Sequence, residues 1–188
     1  ICLKLFLNVN ITVKGLENIP NDKKYFVVCS HQSMFETFYL QTIFKSSVFI
    51  LKKELMKIPL FGSYLKKMGC ISIDRDKISK ENLGFTGLVE KVLEDKRNTL
   101  IIFPQGTRKD HKDRSKFKKG FARIYSDFQI NCLPIAINSG KTWPKSSSLK
   151  SKQNITVSIL KPFEPGQDLE QFSKEVESLI YKELNLIN

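Results

Sequence analysis

The sequence offers little of what metal centres, disulfide frameworks and serine hydrolases require. It has two histidines, and its four cysteines, Cys2, Cys29, Cys70 and Cys132, form no Cys-x-x-Cys pair. This scatter argues against a zinc site and gives no disulfide framework. A Gly-x-Ser-x-Gly motif is also missing, which argues against a lipase-type hydrolase. We therefore expect no metal, and we expect buried, reduced cysteines in a protein that faces the cytoplasm.

Long apolar runs are missing as well. No stretch reaches the roughly 20 apolar residues that a helix needs to span a bilayer. Residues 1–7 are apolar apart from Lys4, and three interpretations stay open for them: the end of a membrane anchor, an interfacial turn, or a core strand. We favour the first two. Residues 1–20 are then the remnant of an N-terminal membrane-associated segment within a single domain that covers residues 1–188.

Negative charge is scarce relative to positive charge. Lys and Arg number 31 against 19 Asp and Glu, which gives a net charge of +12 and a pI near 9.5. Such a surface attracts nucleic acid, an anionic membrane or phosphorylated ligands, and composition alone does not choose among them. A solvated lysine-rich surface is the plain alternative. The chain has no basic stretch interleaved with aromatics, as single-strand nucleic-acid binders have.

Segments typical of strands alternate with segments typical of helices. The predicted strands cover 25–29, 48–51, 70–73, 99–103, 133–137 and 155–160. The predicted helices cover 34–44, 79–95, 117–128 and an amphipathic segment that follows Asp168 as its N-cap. Residues 59–69 are interpreted as a connection broken by Pro and Gly, and residues 139–152 as a surface loop. This alternation predicts a single α/β domain with a mixed β-sheet flanked by helices.

His31 and Glu36 follow the first predicted strand at a spacing that suits acid–base chemistry. An imidazole takes a proton from a hydroxyl, and a carboxylate can hold its other ring nitrogen protonated and aimed. The same residues allow a purely structural interpretation, because Ser33-x-x-Glu36 is also a helix capping box. Taken by itself, the spacing does not decide between the two.

Three further segments follow predicted strands and carry cations. Phe103-Pro104-Gln105-Gly106-Thr107-Arg108 combines a glycine, which lets backbone N–H groups approach an anion, with a guanidinium that grips phosphate. Lys52, in a Lys-Lys-Glu-Leu run, suits a phosphate as a point charge. Arg75 ends a Gly-x-x-x-Ile-Asp-Arg run. The plain alternatives are a turn, a solvated lysine pair and a local ion pair. The later strand 133–137 is hydrophobic and suggests only core.

In this order and spacing the segments resemble the glycerolipid acyltransferase family, specifically its bacterial 1-acyl-sn-glycerol-3-phosphate acyltransferases. That family carries a His-x4-Asp box, a Lys-x-Glu-Leu…Pro…Gly stretch leading to Gly-x-x-x-Ile-Asp-Arg, a Phe-Pro-Glu-Gly-Thr-Arg box and a Val-Pro-Val-Ala-Ile-type strand. The resemblance runs from about residue 27 to residue 139. Two positions depart from it: Glu36 stands where Asp is usual, and Gln105 stands where Glu is usual.

The resemblance implies a reaction. His31, aimed by Glu36, would deprotonate the sn-2 hydroxyl of lysophosphatidic acid, which attacks an acyl-CoA or acyl carrier protein thioester to give phosphatidic acid. Backbone donors of the loop that holds Gln105, Gly106 and Thr107 would face the developing oxyanion. The acceptor phosphate would be held by Arg108, Lys52 and Arg75. No cofactor is implied.

The expected partners are the lipid acceptor, the thioester donor and the anionic membrane at the cytoplasmic face of the inner membrane, with no nucleic acid. Within the enzyme class, the alternative is an acyltransferase for glycerol-3-phosphate or a lysophospholipid. Outside it, the alternative is a catalytically silent basic module that binds membrane or nucleic acid. The joint presence of His31, a carboxylate at position 36 and Arg108 speaks against silence.

Overall fold

The computed structural model describes residues 8–21, 24–73, 83–145 and 148–188, and all structural statements below concern these residues. The strands are β1 (Asn10–Lys14), β2 (Tyr25–Cys29), β3 (Ser47–Lys52), β4 (Ile71–Ile73), β5 (Thr99–Ile102), β6 (Asn131–Ile137) and β7 (Asn154–Ile159). The helices are α1 (Phe35–Ile43), α2 (Phe61–Lys67), α3 (Leu83–Glu94), α4 (Gly120–Phe128) and α5 (Leu169–Ile187).

The strands form one sheet in the order β1-β7-β6-β2-β5-β3-β4. Every neighbouring pair is parallel except β6 and β7, so the predicted mixed sheet is confirmed. In the centre, Val28 of β2 is level with Ile102 of β5 and with Pro134 of β6. The carboxyl ends of these three strands therefore meet at one edge of the sheet, where open α/β sheets place their ligand groups.

Alternate residues of the central strands enter two separate hydrophobic cores. Phe26 and Val28 face the side covered by α3, α4 and α5, whereas Val27 and Cys29 face the side covered by α1 and α2. Strands covered on both faces are apolar throughout, which is why β2, β5 and β6 read as uninterrupted hydrophobic runs. The most buried part of the sheet thus supports the loops that follow β2 and β5.

Most predicted elements agree with the structure to within a few residues. Asp168 caps α5 as predicted, because its side chain accepts hydrogen bonds from the backbone N–H groups of Glu170 (3.0 Å) and Gln171 (2.9 Å). The helix predicted over 117–128 begins only at Gly120. Cys29, Cys70 and Cys132 are free and buried, as predicted. Residues 1–7, with Cys2, and the first residues of the helix predicted over 79–95 lie outside the described part.

Two elements were not predicted. Strand β1 is a short edge strand inside the segment assigned to the membrane-associated N-terminus, and it pairs with β7. Helix α2 lies within residues 59–69. Its seven residues were not predicted as a helix because Pro59, Gly62 and Gly69 usually interrupt helices. Gly62 packs so closely on the turn before it that an added Cβ would stand 2.1 Å from the carbonyl oxygen of Met56. Packing therefore forms this helix, against its weak intrinsic propensity.

None of the helices in the described ranges is both long enough and apolar enough to cross a membrane.

Candidate active site

The loops that follow β2 and β5 are joined through the main chain of His31. Its N–H donates to Oε1 of Gln105 (2.8 Å), and its carbonyl accepts from the N–H of Lys109 (2.8 Å). The register explains the match, because His31 lies three residues past Val28 and Gln105 three past the paired Ile102. His31 is thereby fixed against both ends of the segment 105–109, which contains Gly106, Thr107 and Arg108.

The imidazole ring of His31 is fixed as well. It stacks on Phe103, with 4.0 Å between ring centroids and 16° between planes, and Phe103 stacks in turn on Phe49. The side chain keeps 17% of its accessible surface, whereas its Nδ1 atom is buried. The part of the ring that substrate can reach therefore lies away from Nδ1, on the side of Nε2.

Glu36 provides a buried carboxylate beside that ring. Its Oε1 accepts from the N–H groups of Gln32 (3.1 Å) and Ser33 (3.2 Å), and its Oε2 accepts again from Ser33 (3.0 Å). The hydroxyl of Ser139 donates to Oε1 as well. All of these partners are donors, so the pocket suits a carboxylate that accepts on every side. The polar groups around Glu36 also compensate for the complete burial of this side chain.

The distance from Oε2 of Glu36 to Nδ1 of His31 is 3.5 Å. This is longer than an ordinary hydrogen bond, and Nδ1 has no hydrogen-bond partner among the described residues. Such contacts are often loose before substrate binds and tighten in the reacting complex. The geometry puts the two groups within ion-pairing reach, so a small rotation of the ring would join them.

The capping interpretation of Glu36 is half right. Its carboxylate accepts from the Ser33 N–H, as in a capping box, but the Ser33 hydroxyl accepts from the N–H of Phe35 (2.8 Å) and not from that of Glu36. Glu36 therefore closes the loop that carries His31 and approaches the imidazole with the same carboxylate. The structural and the chemical interpretations of this residue are compatible.

Cys29, two residues before His31, is the nearest thiol in sequence. Burial raises its pKa well above the usual range, and the charge of Glu36 raises this pKa further. Its thiol donates to the carbonyl of Ser30 (3.2 Å). A buried thiol whose pKa is raised in this way stays protonated and is a poor nucleophile. The chemistry at this site therefore falls to the imidazole.

Gln105 connects His31 to the last helix. Because the His31 N–H can only donate, Oε1 of Gln105 faces it and the amide NH₂ is free to donate elsewhere. Burial raises the pKa of Tyr181 to about 12, and a side-chain hydrogen bond with Gln105 offsets part of this rise. The Tyr181 hydroxyl donates to the carbonyl of Ser115. The Tyr181 hydroxyl already donates its hydrogen to Ser115, so its oxygen remains as an acceptor, and the amide NH₂ of Gln105 is a suitable donor for it.

The sequence did not indicate the roles of Ser139, Gln32 or Tyr181. Strand β6 suggested only core, yet it delivers Ser139 to Glu36, and Gly140 donates its N–H to Oε1 of Gln32 (3.0 Å). An added Cβ at Gly140 would stand 2.9 Å from that oxygen. The one signal in the sequence was the change from an apolar strand to the polar residues Asn138, Ser139 and Gly140 that follow it.

Those predicted anion-binding residues that the structure describes lie at the same edge. Arg108 is half-buried, while Thr107 and Lys52 are exposed. Gly106 has a left-handed φ of 74°, which favours glycine, and its N–H closes a turn on the Phe103 carbonyl (3.0 Å). Lys52 ends β3, the strand next to β5. Arg75 lies outside the described residues.

In the described ranges, no three His, Cys, Asp or Glu side chains cluster closely enough to hold a metal ion. The site therefore consists of one imidazole, one buried carboxylate, a glycine turn and cationic side chains. This set can move a proton and bind an anion.

Comparison with known proteins agrees with this chemistry. A family model described as acyltransferase matches residues 10–138. The 1-acyl-sn-glycerol-3-phosphate acyltransferase of Pseudomonas aeruginosa is 35% identical over 158 residues, which cover 83% of this chain and 60% of that protein. The enzyme of the same name from Helicobacter pylori is 31% identical over 162 residues, which cover 84% of this chain and 67% of that protein.

The fold agrees too. The crystal structure of the 1-acyl-sn-glycerophosphate acyltransferase PlsC from Thermotoga maritima matches with a TM-score of 0.75 at 26% identity, covering 97% of this chain and 74% of that one. The predicted fold class is therefore confirmed. The chain spans 60% of the length of its Pseudomonas relative. From the family model, these relatives and the shared fold, the chain belongs to the acyltransferase family.

Proposed function

We propose that the chain transfers a fatty acyl group from a thioester, acyl-CoA or acyl carrier protein, to the sn-2 hydroxyl of lysophosphatidic acid. The product is phosphatidic acid, an intermediate of phospholipid biosynthesis. The observation that carries this proposal is the His31 imidazole, stacked on Phe103 and 3.5 Å from Glu36, with its main chain bonded to both ends of the 105–109 segment. The names of the relatives support the choice of acceptor.

In this mechanism His31 is the general base. Nε2 removes the proton of the acceptor hydroxyl as the oxygen attacks the thioester carbonyl carbon. The imidazolium is stabilised by the Glu36 carboxylate next to Nδ1. When the tetrahedral intermediate collapses, the C–S bond breaks and the thiolate leaves with the proton from His31. The base is thereby regenerated, and no covalent acyl-enzyme, redox change or cofactor is involved.

The 105–109 segment would stabilise charge on both substrates. The N–H of Gly106 already donates to Phe103, so the backbone N–H of Thr107, an exposed residue, is the better candidate for the developing oxyanion. Gln105 holds the segment against His31. Arg108 and Lys52, with Arg75, would bind the acceptor phosphate, because charge-assisted contacts to phosphate are the strong ones.

The net charge of +12 fits this assignment. The acceptor, the donor and the lipid surface on which the acceptor resides are all anionic, so one sign of charge attracts all three. We propose that the protein works at an anionic membrane, on the cytoplasmic face of the inner membrane.

The test is a thioester-cleavage assay across acceptors. Release of free thiol from acyl-CoA and from acyl carrier protein is measured with lysophosphatidic acid, glycerol-3-phosphate, lysophosphatidylcholine or no acceptor. We expect release that depends on lysophosphatidic acid, together with phosphatidic acid as product. Dependence on another acceptor would reassign the substrate within the enzyme class. No release with any acceptor would favour a silent binding module.

A further inference from the structure

Exposed hydrophobic side chains are concentrated in one region. Of ten large hydrophobic side chains exposed in the described part of the chain, six lie on α1, at its N-cap, or between β3 and the end of α2. They are Met34, Phe38, Leu55, Ile58, Leu60 and Tyr64. The Tyr64 hydroxyl donates to Oε1 of Gln41 (3.1 Å), so α2 lies beside α1. These six residues, called the docking surface below, therefore belong to two neighbouring segments, residues 34–38 and 55–64.

Leu60 at the tip of this surface is held outward at a cost to the fold. It is 89% exposed, and its φ of 62° and ψ of −50° are close to those of the rare γ-turn with positive φ, a strained conformation that leucine rarely adopts. The N–H of Phe61 closes this turn on the carbonyl of Pro59 (2.6 Å). The close contact of Gly62 with Met56 fixes the turn that presents it. Neither exposure nor this backbone conformation stabilises the folded chain. A leucine kept in such a position indicates a partner outside the chain.

Cations surround the apolar tip. Between residues 52 and 67 the sequence has five lysines and one acidic residue. Lys57, Lys66 and Lys67 are exposed, and Lys67 follows Leu60 and Tyr64 at helical spacing. Apolar side chains rimmed by lysines match the interface of an anionic bilayer, where acyl chains lie beneath a layer of phosphates.

The docking surface also lies at the edge of the sheet that carries His31. The segment 53–67 follows the carboxyl end of β3, which is parallel to β5, and β5 is parallel to β2. A lipid acceptor that leaves a bilayer would enter from this edge. We propose that the docking surface rests on an anionic phospholipid bilayer, with Leu60 inserted below the phosphates and the lysines on them. This inference rests on the proposed function, which supplies the reason for facing the site toward lipid.

A vesicle-binding experiment tests the surface. Leu60→Asn is compared with Leu186→Asn, which changes an equally apolar side chain, 72% exposed, on α5. Binding is measured by flotation with vesicles of equal parts phosphatidylcholine and phosphatidylglycerol, and with phosphatidylcholine alone. The Leu60 side chain is 89% exposed and contributes little to the core, so Leu60→Asn should fold with a melting temperature close to that of the parent. We expect about tenfold weaker binding to anionic vesicles for Leu60→Asn, because most of a buried leucine's apolar area is lost.

Two further variants and one assay complete the test. Replacing Lys57, Lys66 and Lys67 by Gln should abolish the preference for anionic vesicles, whereas Leu186→Asn should bind within about twofold of the parent. Unchanged vesicle binding by Leu60→Asn would overturn the proposal. So would loss of acyl carrier protein binding with vesicle binding intact, because the surface would then belong to the acyl donor.

Activity toward a short-chain, water-soluble lysophosphatidic acid without vesicles separates this inference from the proposed function. We expect the parent and Leu60→Asn to be equally active in that assay. If neither is active while Leu60→Asn still loses vesicle binding, the membrane surface stands and the proposed reaction fails.

Discussion

Two groups of polar residues share the carboxyl edge of the sheet and differ in how far their hydrogen-bonding capacity is used. Glu36 and Gln105 are buried, and their side chains accept hydrogen bonds from backbone N–H groups and from Ser139. Lys52 and Arg108 are exposed or half-buried, and neither makes a hydrogen bond or ion pair within the described residues. The hydrogen-bonding capacity of Glu36 and Gln105 is thus used within the protein, whereas that of Lys52 and Arg108 is left for a ligand.

The difference separates two tasks of an acyltransferase. A general base has to be held in position before substrate arrives, because reorganising it during the reaction would add to the barrier. Cations that bind a substrate phosphate, in contrast, must stay free of internal carboxylates, or the phosphate would have to displace them. Substitutions that take an acceptor oxygen away from the buried group should therefore affect turnover, and substitutions in the exposed group should affect binding of the acceptor.

The largest effect is expected at His31. His31→Asn removes the base and should lower turnover by at least about a hundredfold, and up to about 10⁴-fold, the range of general-base contributions. The fold should persist, because Nδ1 has no hydrogen bond to lose and the ring contributes mainly its stacking on Phe103. Rates and melting temperature are compared with those of His111→Asn, which changes the second histidine. Comparable losses in both variants would contradict the assignment.

Arg108 tests the exposed group. Arg108→Ala should raise the acceptor KM and lower kcat/KM by at least about tenfold, because a charge-assisted contact contributes roughly 1.5–3 kcal/mol. Arg108→Lys should recover only part of this loss, since the fork geometry is gone. The matched control is Arg123→Ala, which removes an exposed arginine from α4 on the face opposite α1. If Arg108→Ala and Arg123→Ala behave alike, the phosphate lies elsewhere.

Gln105→Glu should give the smallest effect of these substitutions, and it tests the contact between Gln105 and Tyr181. Its carboxylate still accepts from the His31 N–H, but it can no longer donate to Tyr181. We expect a loss of about 1 kcal/mol in the free energy of unfolding and activity within about threefold of the parent. In a Tyr181→Phe background the same substitution should change the free energy of unfolding little. Chemical denaturation of the parent, the two single variants and the double variant measures this coupling. A cost unchanged by Tyr181→Phe would mean that the two side chains are not coupled.

The sequence predicted the parts of the molecule where local pattern and burial agree. Strands β2, β5 and β6 are buried on both faces, and α5 carries an apolar stripe after its Asp168 cap, so each could be identified from its own residues. Helix α2 and strand β1 could not. The former forms where Gly62 packs on the turn at Met56 and Leu65 enters the core, and the latter forms because it pairs with β7, far along the chain. Neither contact is visible in the residue pattern of the element itself.

The site shows the same division. His31, Glu36 and the segment 105–108 were predicted as site residues because the order and spacing of several segments together resemble a known family, whereas the spacing of His31 and Glu36 alone did not decide. Ser139 and Tyr181 could not be predicted, since they lie 103 and 76 residues along the chain from Glu36 and Gln105 and reach them only through the order of the strands and the packing of α5. Contacts between residues so far apart in the chain depend on the three-dimensional fold, and a single sequence does not show which residues make them.

Glu36→Gln tests the central claim most directly. The amide oxygen can replace Oε1, which accepts from Gln32, Ser33 and Ser139. The second hydrogen bond from the Ser33 N–H is lost, because the amide NH₂ takes the place of Oε2 beside Nδ1 of His31. There it would donate to Nδ1 and favour the tautomer with its proton on Nε2, which cannot act as a base. The corresponding change in a serine-protease triad costs roughly 10⁴ in turnover.

The measurement is acyl transfer and thermal stability for Glu36→Gln, Glu36→Asp and the parent. We expect Glu36→Gln to remain folded, with the free energy of unfolding lowered by about 1 kcal/mol for the lost Ser33 hydrogen bond. We expect it to lose at least about a hundredfold in rate, far more than this loss of stability accounts for. Glu36→Asp, which restores the carboxylate usual in this family, should remain active. A fully active Glu36→Gln protein would return Glu36 to a purely structural role and leave His31 without its partner.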